Sequence, residues 1–243
     1  MSTIRGARER ARIEVTAAIK DEARKQLAAD GAARLSLRAV ARELGMVSSA
    51  LYRYFPSRDE LLTALIVDAY DAVGEAAEAA DRASCAGSSA SPLARWTAVA
   101  CAVRDWALAH PHEYGLIYGS PVPGYTAPQA TIGPASRVGL VLIAIVGDAH
   151  RTDGLSLPSL AAELRSEAER MAADVAPDLP PAVVAPLVAA WSQLFGLISF
   201  EIFGQFNRLV EAREAFFRQA VGELARHVGL LGDRGGHKAG TGV

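Results

Sequence analysis

Cysteine is scarce in this sequence: Cys85 and Cys101 are the only two among 243 residues. Two cysteines without metal-ligand spacing support neither a disulfide-stapled scaffold nor a zinc site, and they fit a reducing cytoplasm. Long uninterrupted apolar runs are also missing, because Val138–Gly147 is only ten residues long and Pro186 interrupts residues 182–200. No apolar stretch follows the arginine-rich N-terminal segment, so we expect no secretory signal. We therefore expect buried helices in a cytoplasmic protein without a membrane partner.

Signatures of the common enzyme classes are missing as well. The sequence has no Gly-x-Ser-x-Gly elbow, no phosphate-binding glycine-rich loop after a strand, and no paired carboxylates in an obvious cleft. His110 and His112 lie beside Glu113, but on a helix the two histidines would point about 200° apart and could not chelate one metal ion together. We expect no catalytic residue, no metal and no cofactor. An enzyme remains the main alternative from another class, followed by a helical interaction protein that does not bind DNA.

Helical spacing recurs along most of the chain, and no segment alternates apolar and polar residues long enough to demand a strand. Apolar residues recur every four positions from Val15 to Leu27, and Gly31 is placed to end that helix. Residues 119–134 are rich in glycine and proline and predict a loop. Later helices are predicted at about 93–109, 135–151, 158–175, 181–207 and 209–230. The sequence therefore predicts an all-α fold of nine or ten helices.

Two short helices are predicted in tandem near the N-terminus. The first covers Ser36–Leu44, with Ser36 as its N-cap, and the second runs from about Ser48 to Phe55. Ser57 and Glu60 then stand in capping-box spacing ahead of a long apolar stripe, which marks the start of another helix. Two short helices joined by a glycine-containing turn are typical of a helix-turn-helix. A helical hairpin with a solvated basic face is the alternative.

Charge and side-chain size favour a nucleic-acid partner for this segment. Residues 1–60 carry twelve Lys and Arg against eight Asp and Glu, whereas the remainder carries thirteen against nineteen. The basic surplus suggests a polyanion partner, although ordinary surface charge explains these numbers equally well. On the second short helix, Ser49, Tyr52 and Arg53 share the side opposite Leu51 and Phe55. Small side chains at its start would let the backbone approach base edges in a major groove.

Residues 40–62, VARELGMVSSALYRYFPSRDELL, resemble the signature of the TetR family of regulators: an Ala-x-x-x-Gly turn, then Leu-Tyr-x-x-Phe, then a capping segment. The match covers about residues 10–65. It departs at Val47, where Ser or Thr is frequent, at Ser48, where Lys is frequent, and at Arg58, where Lys is commoner. The resemblance implies an N-terminal three-helix helix-turn-helix domain over residues 1–60 and a larger α-helical ligand-binding and dimerisation domain over 61–231. The glycine-rich residues 232–243 predict a disordered tail.

The resemblance also implies partners and residue roles. Members of the family bind a palindromic double-stranded DNA operator as homodimers, and most are repressors that a small-molecule effector releases. Ser48, Ser49 and Arg53 would face base edges, while Ser36, Tyr52, Tyr54 and Arg58 would position the protein on the DNA backbone. Tyr52 is equally suited to packing. The candidate DNA-binding residues are Ser36, Arg38, Val47, Ser48, Ser49, Tyr52, Arg53, Tyr54 and Arg58.

Beyond Phe55, members of the family share their fold but not their sequence. Residues 106–119 resemble a C-terminal subtype described by its Trp, His and Gly positions. Large side chains, some with a polar tip, suit an effector cavity between helices. An aromatic residue at helical spacing is, however, more often a core residue. His110 suits either a buried position or a helix cap before Pro111. The candidate effector-lining residues are Trp96, Trp106, His110, Tyr114, Tyr118, Trp191 and Phe195.

The two last, most apolar helices are the predicted dimer interface. Two such helices from each partner would form a four-helix bundle with a shared core. Burial of the same residues within one chain is the competing interpretation. The candidate interface residues are Leu187, Leu194, Ile198, Phe217 and Leu224.

Overall fold

The structure is a computed structural model that describes residues 2–86, 90–152 and 154–231, with side chains from residue 6 onward. Within these ranges it contains ten α-helices and no strand beyond an isolated bridge between Leu155 and Leu230. The all-α prediction is confirmed, and the predicted tail at 232–243 lies outside the described residues. The helices are α1 (Ser2–Asp30), α2 (Leu37–Glu43), α3 (Ser48–Leu51), α4 (Arg58–Cys85), α5 (Pro92–Ala109), α6 (Pro111–Tyr118), α7 (Ile132–Arg151), α8 (Arg165–Val175), α9 (Pro181–Ile202) and α10 (Arg213–Val228).

Several helix ends differ from the sequence prediction. Helix α8 starts at Arg165 rather than near residue 158, because residues 156–161 have no regular structure and a single 3₁₀ turn precedes the helix. Helix α9 ends at Ile202 rather than at residue 207, because Gly204 adopts a φ angle of 84°, which a right-handed helix does not accommodate. The periodicity misses α6, whose eight residues are too few to show an apolar repeat.

The described residues divide into two compact units. The first unit comprises the chain up to Ala72 together with Ala109–Ala135, and the second comprises Val73–Leu108 and the residues from Ser136 onward. The predicted boundary at residue 60 differs from this division for two reasons. Helix α4 is one unbroken helix of 28 residues, and its residues are divided between the two units after Ala72. Helix α6 and the loop after it belong to the first unit.

The core of the first unit fixes the geometry of α2 and α3. Its innermost side chains are fully buried and come from α1, α2, α3 and the start of α4: Ile19, Val40, Leu51, Leu61 and Leu62. Gly31 ends α1 as predicted, and Gly45 lies between α2 and α3, with φ angles of 79° and 63°. Glycine tolerates this left-handed backbone because it has no Cβ. The two glycines therefore let short helices follow one another at sharp angles around a single core.

Serine side chains cap the N-termini of two of these helices. The Ser36 Oγ accepts a hydrogen bond from the Ala39 N–H at 3.4 Å ahead of α2, and the Ser57 Oγ accepts one from the Glu60 N–H at 3.1 Å ahead of α4. Both predicted caps are confirmed. Each hydroxyl satisfies a backbone N–H that has no partner inside the helix.

We expect Ser57→Ala to lower the free energy of unfolding by about 1 kcal/mol, because alanine cannot accept the Glu60 N–H. Urea unfolding at fixed protein concentration measures this loss. Ser166→Ala, at an exposed position of α8, is the control and should change stability by less than about 0.5 kcal/mol. Equal midpoints for Ser57→Ala and the wild-type protein would contradict the role of Ser57 as a stabilising cap.

Ion pairs attach α6 to the N-terminal helices within the first unit. Asp68 of α4 accepts hydrogen bonds from Lys20 at 2.8 Å and from Arg24 at 2.7 Å, both on α1. The Arg24 guanidinium also lies 3.4 Å from the carboxylate of Glu113 on α6. Because all four side chains are partly shielded from solvent, the network holds α1, α4 and α6 more firmly than exposed pairs would.

The second unit is organised around α9, which packs against α8 and α10. One ion pair is buried there: Arg104 of α5 donates two hydrogen bonds to Glu201 of α9, at 2.7 and 2.6 Å. The Arg104 guanidinium also lies 5.4 Å from the ring centroid of Phe217 on α10, within the range of a cation–π contact. Arg104 therefore links α5 to both late helices.

Two helical segments, Gln129–Arg151 and Pro181–Ile202, are long and apolar enough to cross a membrane by length and composition alone. Helices in the core of a water-soluble protein meet the same criterion. Each segment supplies fully buried side chains to the second unit, for example Ile145 on α7 and Ile198 on α9. Two such helices are by themselves weak evidence for a membrane span.

Candidate nucleic-acid interface

The segment from α2 to α3 has one apolar face and one polar, exposed face. Leu51 and Phe55 are buried in the core of the first unit, at 0% and 7% exposure. Ser49, Tyr52 and Arg53 are exposed to solvent. Helix α3 itself ends at Leu51, shorter than predicted, and a hydrogen-bonded turn continues it, with the Phe55 N–H donating to the Leu51 carbonyl at 3.1 Å. This face presents small, aromatic and cationic side chains of the kind that contact DNA.

Arginines on α2 extend the exposed face with positive charge. Arg38 and Arg42 are four residues apart, so they lie on one side of α2, and both are exposed. The only ion pair of Arg42 among the described residues joins it to the adjacent Glu43 at 3.3 Å, also near the surface. The two guanidinium groups are thus accessible to phosphates. We call Arg38, Arg42, Val47, Ser49, Tyr52 and Arg53 the α2–α3 face.

Two of the predicted DNA-backbone contacts, Tyr54 and Arg58, also make contacts within the first unit. Tyr54 is half-buried and packs against the core. Arg58 donates hydrogen bonds to the carbonyl oxygens of Ala32 at 2.9 Å and Ala33 at 3.4 Å, which ties the start of α4 to the turn after α1. By contrast Tyr52, for which packing was the alternative, is 40% exposed. Tyr52 is therefore retained as a candidate DNA contact. Tyr54 and Arg58 also support the domain, and their contact with DNA stays a prediction.

The seven candidate effector-lining residues are divided between the two units. Tyr114 and Tyr118 lie in the first, where Tyr114 is fully buried and its ring centroid is 5.2 Å from that of Tyr118. Burial raises the pKa of the Tyr118 phenol, so this hydroxyl stays protonated at neutral pH. His110 is exposed at the start of α6. The alternative of a buried histidine is therefore wrong, because His110 immediately precedes the first turn of the helix.

The other four candidates belong to the second unit. Trp106 and Phe195 are buried, whereas Trp191 is 38% exposed and packs edge-on against Phe195 with ring centroids 5.7 Å apart. Trp96 is completely buried, and its indole N–H has no hydrogen-bond partner within the part of the chain that the structure describes. A buried donor without an acceptor costs about 1–3 kcal/mol. Trp96 is therefore the candidate with the clearest demand for an additional partner.

The five predicted dimer residues are buried within a single chain. Their side chains are between 0% and 8% exposed, which favours the competing interpretation of burial within one protomer and leaves little of them for a partner chain to cover. These residues are Leu187, Leu194, Ile198, Phe217 and Leu224.

Other apolar side chains of these helices are exposed. Val188 and Trp191 are each 38% exposed, and because they lie three residues apart they share one side of α9. Phe200 and Phe216 are 52% and 43% exposed, and the ring of Phe206 stacks edge-on between them at 5.7 and 5.5 Å. Sequence periodicity identified the apolar helices but not their outer side, because α9 is apolar nearly all around.

Comparison with known proteins agrees with the geometry. A family model described as "Bacterial regulatory proteins, tetR family" matches residues 19–65, and one described as "Tetracyclin repressor-like, C-terminal domain" matches residues 96–224. The first range contains the whole α2–α3 face. The second covers most of the second unit, together with α6 and the loop after it. The Trp-His-Gly subtype of the C-terminal domain stays a prediction.

Relatives match over most of the chain. The HTH-type transcriptional regulator Rv1816 of Mycobacterium tuberculosis is 42% identical over 209 residues, which cover 83% of this chain and 86% of that protein, and Mb1846 of Mycobacterium bovis matches equally. The crystal structure of SCO4313 aligns with a TM-score of 0.72 at 34% identity, covering 89% of this chain and 97% of that one. The TetR family regulator PfmR from Thermus thermophilus aligns with a TM-score of 0.57 at 19% identity, over 86% and 97%, and supports the fold alone.

Proposed function

Because this chain belongs to the TetR family of transcriptional regulators, we propose that it is a repressor that binds a palindromic operator as a homodimer and that a small-molecule effector releases it. The observation that carries the proposal is the α2–α3 face, where polar and cationic side chains are exposed opposite a fully buried apolar face. A helix of this kind fits the major groove of B-DNA.

The exposed side chains of the α2–α3 face, together with the half-buried Ser48, divide into two kinds of DNA contact. Ser48, Ser49 and Arg53 read base edges, and Arg53 is suited to bidentate hydrogen bonds with guanine. Arg38 and Tyr52 bind phosphates and set the register of the protein on the duplex. Ser36 supports this arrangement by capping α2, since its Oγ already accepts the Ala39 N–H.

A second copy of the chain completes the proposed DNA-binding unit. One pair of recognition segments reads two half-sites only if a two-fold axis holds them about 34–36 Å apart. The exposed side chains Val188, Trp191, Phe200 and Phe216 offer an apolar surface for this partner, and aromatic residues are enriched in such interfaces. The four replace the five buried residues of the sequence-based prediction.

We expect Trp191→Asp to weaken self-association by at least about tenfold, because a carboxylate would be desolvated in the interface. Analytical ultracentrifugation over a range of protein concentrations measures the change. Leu157→Asp, at a position 61% exposed in the second unit, is the matched control and should leave the dimer intact. A wild-type dimer that Trp191→Asp does not weaken would exclude this side of α9 as the interface.

The effector is proposed to bind in the second unit, where Trp96 is buried with an unpaired indole N–H. A ligand with a hydrogen-bond acceptor among apolar groups would satisfy this donor. Release from DNA requires that the effector bind the two states of the dimer with different affinity, a coupling typically of about 1–3 kcal/mol. A ligand that demonstrably binds yet leaves operator affinity unchanged would count against this coupling.

Selection from a random duplex library with the full chain tests the DNA-binding proposal. We expect enrichment of one inverted repeat whose half-sites lie about one helical turn apart. Enrichment of a single half-site without its repeat would retain DNA binding and reject the symmetric dimer on DNA. No enrichment at low salt would reject the proposal and favour a helical interaction protein.

A further inference from the structure

An apolar side chain lies exposed within the α2–α3 face. Val47 is 70% exposed, although Met46 before it and Leu51 after it pack against the core of the first unit. The other members of the face are hydroxyl, phenol or guanidinium side chains. Single exposed apolar residues are ordinary on protein surfaces, so exposure alone indicates no function for Val47. Its position among polar and cationic side chains of the α2–α3 face does.

Valine is a poor choice at this position for the stability of the fold. Val47 immediately precedes α3, with φ −68° and ψ 136°, and its side chain makes no capping hydrogen bond. The helices on either side, α2 and α4, are each preceded by a serine whose hydroxyl accepts a backbone N–H. Ser, Thr, Asn and Asp stabilise such positions and valine does not. A contact outside the folded chain therefore explains the residue better than folding does.

Because Val47 lies on the face proposed to enter the major groove, its contact is expected to be an apolar group of that groove. The apolar group that base pairs present there is the C5-methyl group of thymine. We propose that Val47 reads a thymine methyl group in each operator half-site. The inference rests on the proposed DNA-binding function and adds a requirement to it, namely a thymine at the base pair that Val47 faces. Neither serine nor a longer cation at this position would make the same contact.

The size of the effect follows from the burial of one methyl-sized group. Such burial corresponds to about a fourfold change in affinity for each half-site, and to about fifteenfold for two equivalent half-sites. This is smaller than the loss of a bidentate base contact. Recognition of the methyl group by Val47 would therefore contribute modestly to operator specificity, and it can be measured separately from the other base contacts.

Deoxyuridine lacks only the methyl group of thymine and gives a direct test. Each thymine of the selected operator is replaced in turn, and dissociation constants are measured for the wild-type protein and for Val47→Ser. We expect one thymine per half-site at which the wild type loses about fourfold in affinity and Val47→Ser loses none. Leu157→Ser, far along the sequence and 61% exposed, is the control and should discriminate like the wild type.

The serine variant also separates recognition from stability. Because serine can cap α3, Val47→Ser should raise Tm while it abolishes the discrimination between thymine and deoxyuridine. Equal affinity of the wild type for every substituted operator would overturn the proposal while leaving DNA binding intact. Equal discrimination by the wild type and Val47→Ser would assign the methyl contact to another residue. Absence of any operator binding would instead reject the proposed function itself.

Discussion

Replacement of Glu201 by alanine should lower the free energy of unfolding by about 3–5 kcal/mol, the typical cost of removing one partner of a buried ion pair. Arg104 and Glu201 are 8% and 7% exposed and share two hydrogen bonds. Without the carboxylate, the guanidinium would keep its charge in the interior next to Phe217. Urea unfolding, followed by circular dichroism at one fixed protein concentration, measures the loss.

Two further variants separate burial of a charge from simple loss of a contact. Arg104→Met combined with Glu201→Leu removes both charges and should recover most of the stability, because well-packed apolar residues often replace a buried pair without loss. Glu223→Ala breaks an exposed pair with Arg226, at 3.1 Å, and should cost at most about 1 kcal/mol. A Glu201→Ala variant as stable as Glu223→Ala would contradict the role of this pair in joining α5 to α9.

Replacement of Arg53 by alanine should produce the largest loss of operator affinity. A guanidinium that reads a guanine is worth about 1–3 kcal/mol per half-site, so two half-sites correspond to at least about a 30-fold rise in Kd. The loss should be specific, with preference relaxed at one base pair of each half-site. Fluorescence anisotropy with operator variants at that base pair measures both effects.

Other arginines provide the controls for Arg53. Arg38→Ala should weaken binding to operator and unrelated DNA alike and should reduce the salt dependence, because phosphate contacts carry no sequence information. Arg170→Ala removes an exposed charge from α8 in the second unit and should leave Kd within about twofold of the wild type. If Arg53→Ala and Arg170→Ala behaved alike, the α2–α3 face would not be the reading surface.

The sequence was sufficient to predict the helix-turn-helix because its signals are local. Caps such as Ser36 and Ser57, and Gly31 at a helix end, act within a few residues of where they lie. The amphipathic pattern also placed Leu51 inward and Arg53 outward, as the structure confirms. Because these signals follow one another closely in the sequence, they fix where each of the short helices begins and ends.

The outer surface of α9 and the long-range side-chain contacts could not be predicted, because they depend on tertiary packing that sequence periodicity does not encode. Nothing in the pattern distinguished the inner from the outer side of α9, since Leu194 and Trp191 are both large and apolar, yet one is 1% and the other 38% exposed. The ion pair of Arg24 with Glu113 and the hydrogen bond of Arg58 to the Ala32 carbonyl join residues that are distant in sequence. Neither contact could be predicted from the local pattern.

A titration of DNA from upstream of the protein's own gene, at two salt concentrations and against unrelated DNA, tests sequence-specific binding most directly. We expect the upstream fragment to bind at least about 10³-fold more tightly than unrelated DNA, with an affinity that falls steeply as the salt concentration rises. Equal, weak binding to both fragments, with no preference at either salt concentration, would contradict recognition of this region. Absence of any binding to duplex DNA at low salt would contradict the assignment of the α2–α3 face to DNA.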